Sequence, residues 1–136
     1  MSDVISLRCP QLPSTYHIST EETLKHTKPK AMLINTSRGG LIDTKAAIAA
    51  LKSGRLGYLG IDVYEDEDSL FFEDLSDTVI QDDTFQLLQS FSNVVITSHQ
   101  GFFTKEALSN IADTTLANIS ILEAGKDCAN KVVKRS

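Results

Sequence analysis

Apolar residues are laid along this chain in two rhythms. Mostly apolar runs occupy residues 3–7, 31–34, 57–63 and 93–97. Such runs predict strands, and the one at 57–63 suits a parallel strand covered on both faces. Between them, apolar positions recur at helical spacing. Ser19 and Glu22 stand at capping-box spacing and predict a short helix over residues 20–27, which Pro29 stops. Asp43 predicts the cap of a helix running to about residue 53, with Ala46, Ala47, Ala50 and Leu51 on one face and Gly54 as its stop. Asp83 and Gln86 predict a further short helix to residue 89. Thr104 opens the longest helix, with Leu108, Ile111, Ala112, Thr115, Ile119 and Leu122 as its stripe and Gly125 as its end.

The resulting order is strand, helix, strand, helix, strand, loop, helix, strand, helix. That alternation predicts an α/β fold: a parallel sheet joined by right-handed crossovers. Residues 65–83 break the rhythm. The acidic run Glu65-Asp66-Glu67-Asp68 leads into Phe71-Phe72 and Val79-Ile80, which predicts a long excursion over the surface.

Three strand ends carry unusual polar groups: Ser37-Arg38, then Asp62 followed by Glu67, then His99. In a parallel sheet these ends share the carboxyl edge, where ligands of open α/β sheets bind. A guanidinium there matches a carboxylate in two-point fashion. An imidazole exchanges a proton with a keto or hydroxyl oxygen, and a carboxylate beside it favours its charged form. Together the three suit a 2-hydroxy or 2-keto acid, with a cofactor supplying the hydride that no side chain can supply. Each residue also has a plainer reading. Arg38 fits a solvated surface, His99 competes with His17 and His26, Glu67 fits a solvated acidic loop, and Asp62 fits a turn cap.

Composition narrows the partners. The 136 residues carry a net charge of −5 with no basic block, which argues against nucleic acid. No apolar run approaches the ~20 residues of a membrane-spanning helix, and no secretory pattern opens the chain. Cys9 and Cys128 form no C-x-x-C pair and no metal spacing, so they are expected to be free thiols in a reducing compartment, the cytoplasm.

Three motifs in order carry a resemblance. They are Asn35-Thr36-Ser37-Arg38-Gly39-Gly40-Leu41-Ile42-Asp43, Gly60-Ile61-Asp62-Val63-Tyr64-Glu65-Asp66-Glu67, and Asn93-Val94-Val95-Ile96-Thr97-Ser98-His99-Gln100-Gly101-Phe102. The chain resembles the carboxyl-terminal half of an NAD-dependent D-2-hydroxyacid dehydrogenase. Leu70-Phe71-Phe72-Glu73-Asp74 resembles the fermentative D-lactate branch. The resemblance implies a partial Rossmann-like sheet, the C-terminal half of an NAD-binding domain over residues 1–103. Residues 104–136 would be a helix and tail returning to the substrate domain. It implies Arg38 on the substrate carboxylate, His99 as proton donor and acceptor, and Glu67 as its paired acid. Thr36, Ser37 and Asp62 would lie near the nicotinamide half of NAD, with Cys9 and Pro10 on the adenosine side, and Arg38 would bind the cofactor as well. For the full-length protein it implies a homo-oligomer.

The sequence departs from that family at several points. Arg8 stands where a histidine is usual, Thr15 where an asparagine often contacts the cofactor, and Ser98 and Gly101 flank the histidine in place of commoner residues. No G-x-G-x-x-G turn occurs, and with it goes the usual pyrophosphate cradle. The expectation is therefore a fragment, inactive alone, of an oxidoreductase interconverting D-lactate and pyruvate. The alternative is a non-catalytic remnant or interaction module that pairs with a separate amino-terminal half. An unrelated carboxylate-binding α/β domain would require the three motifs to be accidental.

Overall fold

The computed structural model describes residues 2–66 and 82–132. The chain divides into two compact units, Met1–Gln100 and Gly101–Ser136. The first holds a parallel sheet of four strands: β1 (Val4–Leu7), β2 (Ala31–Asn35), β3 (Leu56–Ile61) and β4 (Val94–Ile96), in that spatial order. Its helices are α1 (Glu21–Lys25), α2 (Thr44–Lys52) and α3 (Asp83–Gln89). A 3-10 turn, Gly39–Leu41, lies between β2 and α2. Helix α4 (Lys105–Glu123) belongs to the second unit.

Register aligns Ile5 with Leu33, Leu33 with Leu59, and Leu59 with Val94 across the sheet. This row faces a core that Ala47, Leu51, Phe85 and Leu88 of the helices complete. The two rows on either side, which face the other way, are different. Val4 pairs with Met32, Met32 with Tyr58, and Gly60 with Val95, and Val4, Tyr58 and Val95 are 53%, 54% and 66% exposed. The mostly apolar run at 57–63 predicts two covered faces; among the described residues one face of the sheet is buried and the other is largely open. A run without alternation cannot distinguish the two cases, because its outward residues are also apolar.

The helix caps follow side-chain hydrogen bonding closely. Asp43 caps α2 by accepting from Ala46 N at 3.0 Å, and Thr104 caps α4 by accepting from Ala107 N at 3.2 Å. The cap of α1 is Thr20 rather than Ser19, in a reciprocal pair with Thr23. Ser19 is buried in a parallel bridge to Ile42, where its backbone is committed to Leu41 O and Asp43 N. The cap of α3 is Asp82, whose Oδ1 accepts from Thr84 N and Phe85 N at 2.9 Å each. Asp83 is the first helical residue. Glu67, the rest of the acidic excursion to residue 81, and the Leu70–Asp74 motif lie outside the described residues. No helix of the described residues is long and apolar enough to cross a membrane.

Candidate active site at the carboxyl edge of the sheet

The turn after β2 is shaped by a buried amide. Asn35 ends the strand with no exposed surface. Its Nδ2 donates to Arg38 O at 2.8 Å, and its Oδ1 accepts from Ser37 N at 3.1 Å. One side chain thus satisfies two backbone groups that a tight turn leaves without ladder partners. The turn presents Thr36 and Arg38 to solvent, with Ser37 half-buried between them. Gly39 follows because nothing larger fits. A Cβ there would stand 2.0 Å from the Tyr64 carbonyl oxygen.

This turn is fastened to the loop after β1. Ser37 Oγ donates to Cys9 O at 2.7 Å. Arg8, Pro10, Gln11, Ser37 and Arg38 line one open hollow. The Arg38 guanidinium donates through Nη1 to Ser37 O at 2.8 Å. Both thiols are free; Cys9 is half-buried and Cys128 buried.

His99 sits on the loop after β4, half-buried, in the left-handed region at φ 52°. For a residue with a Cβ this costs on the order of 1 kcal/mol and persists only where the surroundings impose it. Asp62, just beyond β3, is part of those surroundings. Asp62 O accepts from His99 N at 2.7 Å, and Asp62 Oδ1 accepts from Gln100 N at 3.0 Å and from the Thr97 hydroxyl. Asp62 N in turn donates to Asn35 O at 3.0 Å.

Glu65 anchors the segment that leaves β3. Its Oε1 lies 2.5 Å from His17 Nε2 and accepts from Tyr16 OH at 3.1 Å; its Oε2 accepts from Thr44 Oγ1 at 3.1 Å. Tyr16 and His17 stack at 3.9 Å, with His17 also left-handed at φ 50°. The hydrogen bond to Glu65 holds the Tyr16 phenol above its ordinary range, with slight burial and the nearby Asp66 and Asp43 adding to it. Beside it, Tyr64 is buried and donates to Asp82 Oδ2 at 2.7 Å. Burial, then that bond, then the charges of Asp82, Asp66 and Glu65 push its phenol far above the ordinary value.

The structure therefore gathers the sequence candidates into two groups. Cys9, Pro10, Thr36, Ser37 and Arg38 form one; Asp62 and His99 form the other. The bond from Asp62 N to Asn35 O joins them. Glu67 lies outside the described residues. Sequence reasoning passed over Asn35 as a shaper of the turn, although an asparagine two residues before a tight turn's serine is a recognisable signal. It also passed over Thr97 and the His17–Glu65 pair, whose members are 48 positions apart and share no local pattern.

Residues 1–101 match the family described as D-isomer specific 2-hydroxyacid dehydrogenase, NAD binding domain. The chain is 54% identical over 132 residues to the D-lactate dehydrogenase of Escherichia coli, covering 97% of this chain and 40% of that protein. Among solved structures it is similar to the pyruvate reductase of Chlamydomonas reinhardtii, with TM-score 0.89 and 43% identity over 96% of this chain and 40% of that one. It is also similar to D-lactate dehydrogenase with NAD+ from Lactobacillus jensenii, with TM-score 0.84 and 34% identity over 98% of this chain and 40% of that one. The chain thus spans about two fifths of the length of the relatives it matches.

Proposed function

The chain belongs to the D-isomer specific 2-hydroxyacid dehydrogenases through their NAD-binding domain, and from that premise we propose that it carries the proton-transfer and substrate-anchoring groups of an NAD-dependent oxidoreductase interconverting D-lactate and pyruvate. The observation that carries the reading is the carboxyl edge itself. Arg38 and His99 leave the ends of β2 and β4, on turns that Asn35 and Asp62 shape, and these two residues are bonded to each other across β2 and β3.

Arg38 binds the substrate carboxylate through its fork of donors, which fixes the keto carbon relative to the sheet edge. His99, charged, gives a proton to the keto oxygen as the alcohol forms; in the reverse direction it takes that proton back. Glu67 is assigned as the acid that pairs with His99 and stabilises its charged form. The residues at hand fit the nicotinamide half of NAD. The hollow at the edge is open, lies where dinucleotides bind in such sheets, and is lined by Ser37 and Arg38 together with Arg8, Pro10 and Gln11. Thr36, Ser37, Arg38 and Asp62 are assigned to that half, and Cys9 and Pro10 to the adenosine side. When bound, NAD supplies or receives the hydride.

The test is a chimera in which this chain replaces its counterpart in the Escherichia coli D-lactate dehydrogenase, followed by NADH oxidation with pyruvate. The chimera is expected to turn over. His99→Asn is expected to lower kcat by roughly 10²–10⁴-fold, as loss of a general acid does, and Arg38→Lys to raise the KM for pyruvate at least about tenfold through loss of the bidentate contact. A folded but inactive chimera, or full activity in either variant, refutes the assignment. The second reading, an interaction module, draws on the exposed apolar positions of α4, among them Leu116 at 64% and Leu122 at 55%. It predicts that this chain forms a stable complex with a separately made amino-terminal half without conferring NADH oxidation.

A further inference from the structure

We propose that Asp62 and Thr97 form a clamp that positions His99, so that the imidazole is aimed by hydrogen bonds that tie its loop to Asp62, just beyond β3. The inference rests on the functional reading above only for what His99 does; the clamp itself stands on geometry. Asp62 accepts three times from the four residues Thr97 to Gln100: once through its carbonyl from His99 N at 2.7 Å, and twice through Oδ1, from Gln100 N at 3.0 Å and from the Thr97 hydroxyl. Those contacts bracket His99 on both sides. They enclose a residue held left-handed at φ 52°, a conformation that side chains with a Cβ leave when unrestrained. Thr97 N also donates to Ile61 O at 2.9 Å, which continues the sheet pairing up to the clamp.

The chemistry gives this arrangement a purpose. Proton transfer demands a donor within hydrogen-bond reach of its acceptor and loses rate steeply with small misplacement. A carboxylate acceptor makes charge-assisted bonds, roughly twice as strong as neutral ones. The half-buried Asp62 is rooted in turn, through its N–H, on the end of β2. The loop position of His99 is therefore slaved to the rigid sheet and, through Asn35, to the turn that carries Arg38. Asp62 and Thr97 are positioning residues in this account; neither exchanges the proton.

Amide hydrogen exchange and histidine ring resonances, read by NMR on this full chain, test the clamp without any need for activity. Asp62→Ala is expected to speed exchange at His99 N and Gln100 N by about tenfold or more, as loss of local bonds does. It should also move the His99 ring signals toward those of the exposed His26, while core amides such as Leu33 and Leu59 stay within about twofold. Asp62→Asn, which still offers an Oδ1 acceptor, is expected to restore most of the protection. Thr97→Val, exposed and isosteric, is expected to speed both amides by about threefold and gives the reading if Asp62→Ala does not fold. Unchanged exchange at both amides in Thr97→Val or in a folded Asp62→Ala, or an Asp62→Asn variant no better than alanine, overturns the proposal. In the chimera, Thr97→Val is expected to lower kcat by about tenfold with the KM for pyruvate within about twofold. An inactive parent chimera would count against the functional assignment, whereas the exchange data alone decide the clamp.

Discussion

Tyr64 shows how one buried polar group is settled by its neighbours. The ring packs on Phe85 with centroids 5.2 Å apart, and the hydroxyl donates to Asp82, the cap of α3. Ionising this phenol in the folded chain would bury a charge among acids, so its pKa is raised. In the unfolded chain tyrosine ionises near pH 10. A raised folded pKa gives stability that is fully present below pH ~10 and is lost as pH climbs above it, because only the unfolded state sheds the proton. The slope approaches about 1.4 kcal/mol per pH unit for one group. Tyr64→Phe is expected to cost about 1–2 kcal/mol at neutral pH through the lost bond to Asp82, and to flatten the loss of stability between about pH 10 and 11. Urea unfolding at stepped pH measures both; an unchanged alkaline slope in the variant would show that Tyr64 does not carry it. At this scale the sequence was readable where a residue acts on near neighbours, as the caps Asp43 and Thr104 do on the first turns of their helices. It was not readable where partners are remote: nothing local announces that Asp62 would hold residues 97–100, or that Glu65 would gather Tyr16, His17 and Thr44.

Element boundaries were readable from capping chemistry, and the departures are instructive. Both misplaced caps lie next to the right residue, since Ser19-Thr20 and Asp82-Asp83 each offer two candidates in succession. The choice fell to tertiary pairing. Ser19 is drawn into its bridge with Ile42, which leaves Thr20 to cap. The turn from β2 into α2 is over-determined by comparison. Asn35 closes it from within, Ser37 ties it to Cys9, Asp43 caps the helix beyond, and Gly39 lets the Tyr64 backbone lie against it. Gly39→Ala would drive a methyl into a peptide carbonyl rather than into a flexible side chain. Relief requires the 38–41 backbone or the 64–65 backbone to move, a cost of about 1–3 kcal/mol or more. By calorimetry the variant should melt several degrees lower, about 4–8 °C per kcal/mol in a domain of roughly 100 residues. Its Arg38 N–H signal should also shift. A melting temperature equal to that of the parent would mean the turn has slack that the geometry denies. Asp43→Ala makes a milder comparison, at about 1 kcal/mol for a lost cap.

At the scale of the whole molecule, the parallel sheet alternating with helices was readable, and the order of its strands and the state of its outer surface were not. Parallel sheets normally bury both faces. Here Val4, Tyr58 and Val95 stand more than half exposed on one face of the first unit. In the second unit, α4 buries none of its residues, and Ile111, Leu116 and Leu122 are likewise more than half exposed. Single exposed apolar residues need no explanation, but contiguous rows of them mark surfaces that take up apolar ligands. The isolated chain is therefore expected to enhance the fluorescence of an apolar-surface dye at neutral pH while keeping a cooperative melt. Cooperative melting separates a folded chain with open faces from a molten one, which binds dye because its packing is lost. Two sets of substitutions then locate the dye. Val4→Thr with Val95→Thr strips the sheet face, and Leu116→Gln with Leu122→Gln strips the helix; each set is expected to remove roughly half of the signal. Because all four positions are exposed, neither set should lower stability by more than about 1 kcal/mol. A parent chain that leaves the dye dark would show that these faces are covered in solution. A signal that survives both sets would place the dye elsewhere and break the link between the open rows and the binding.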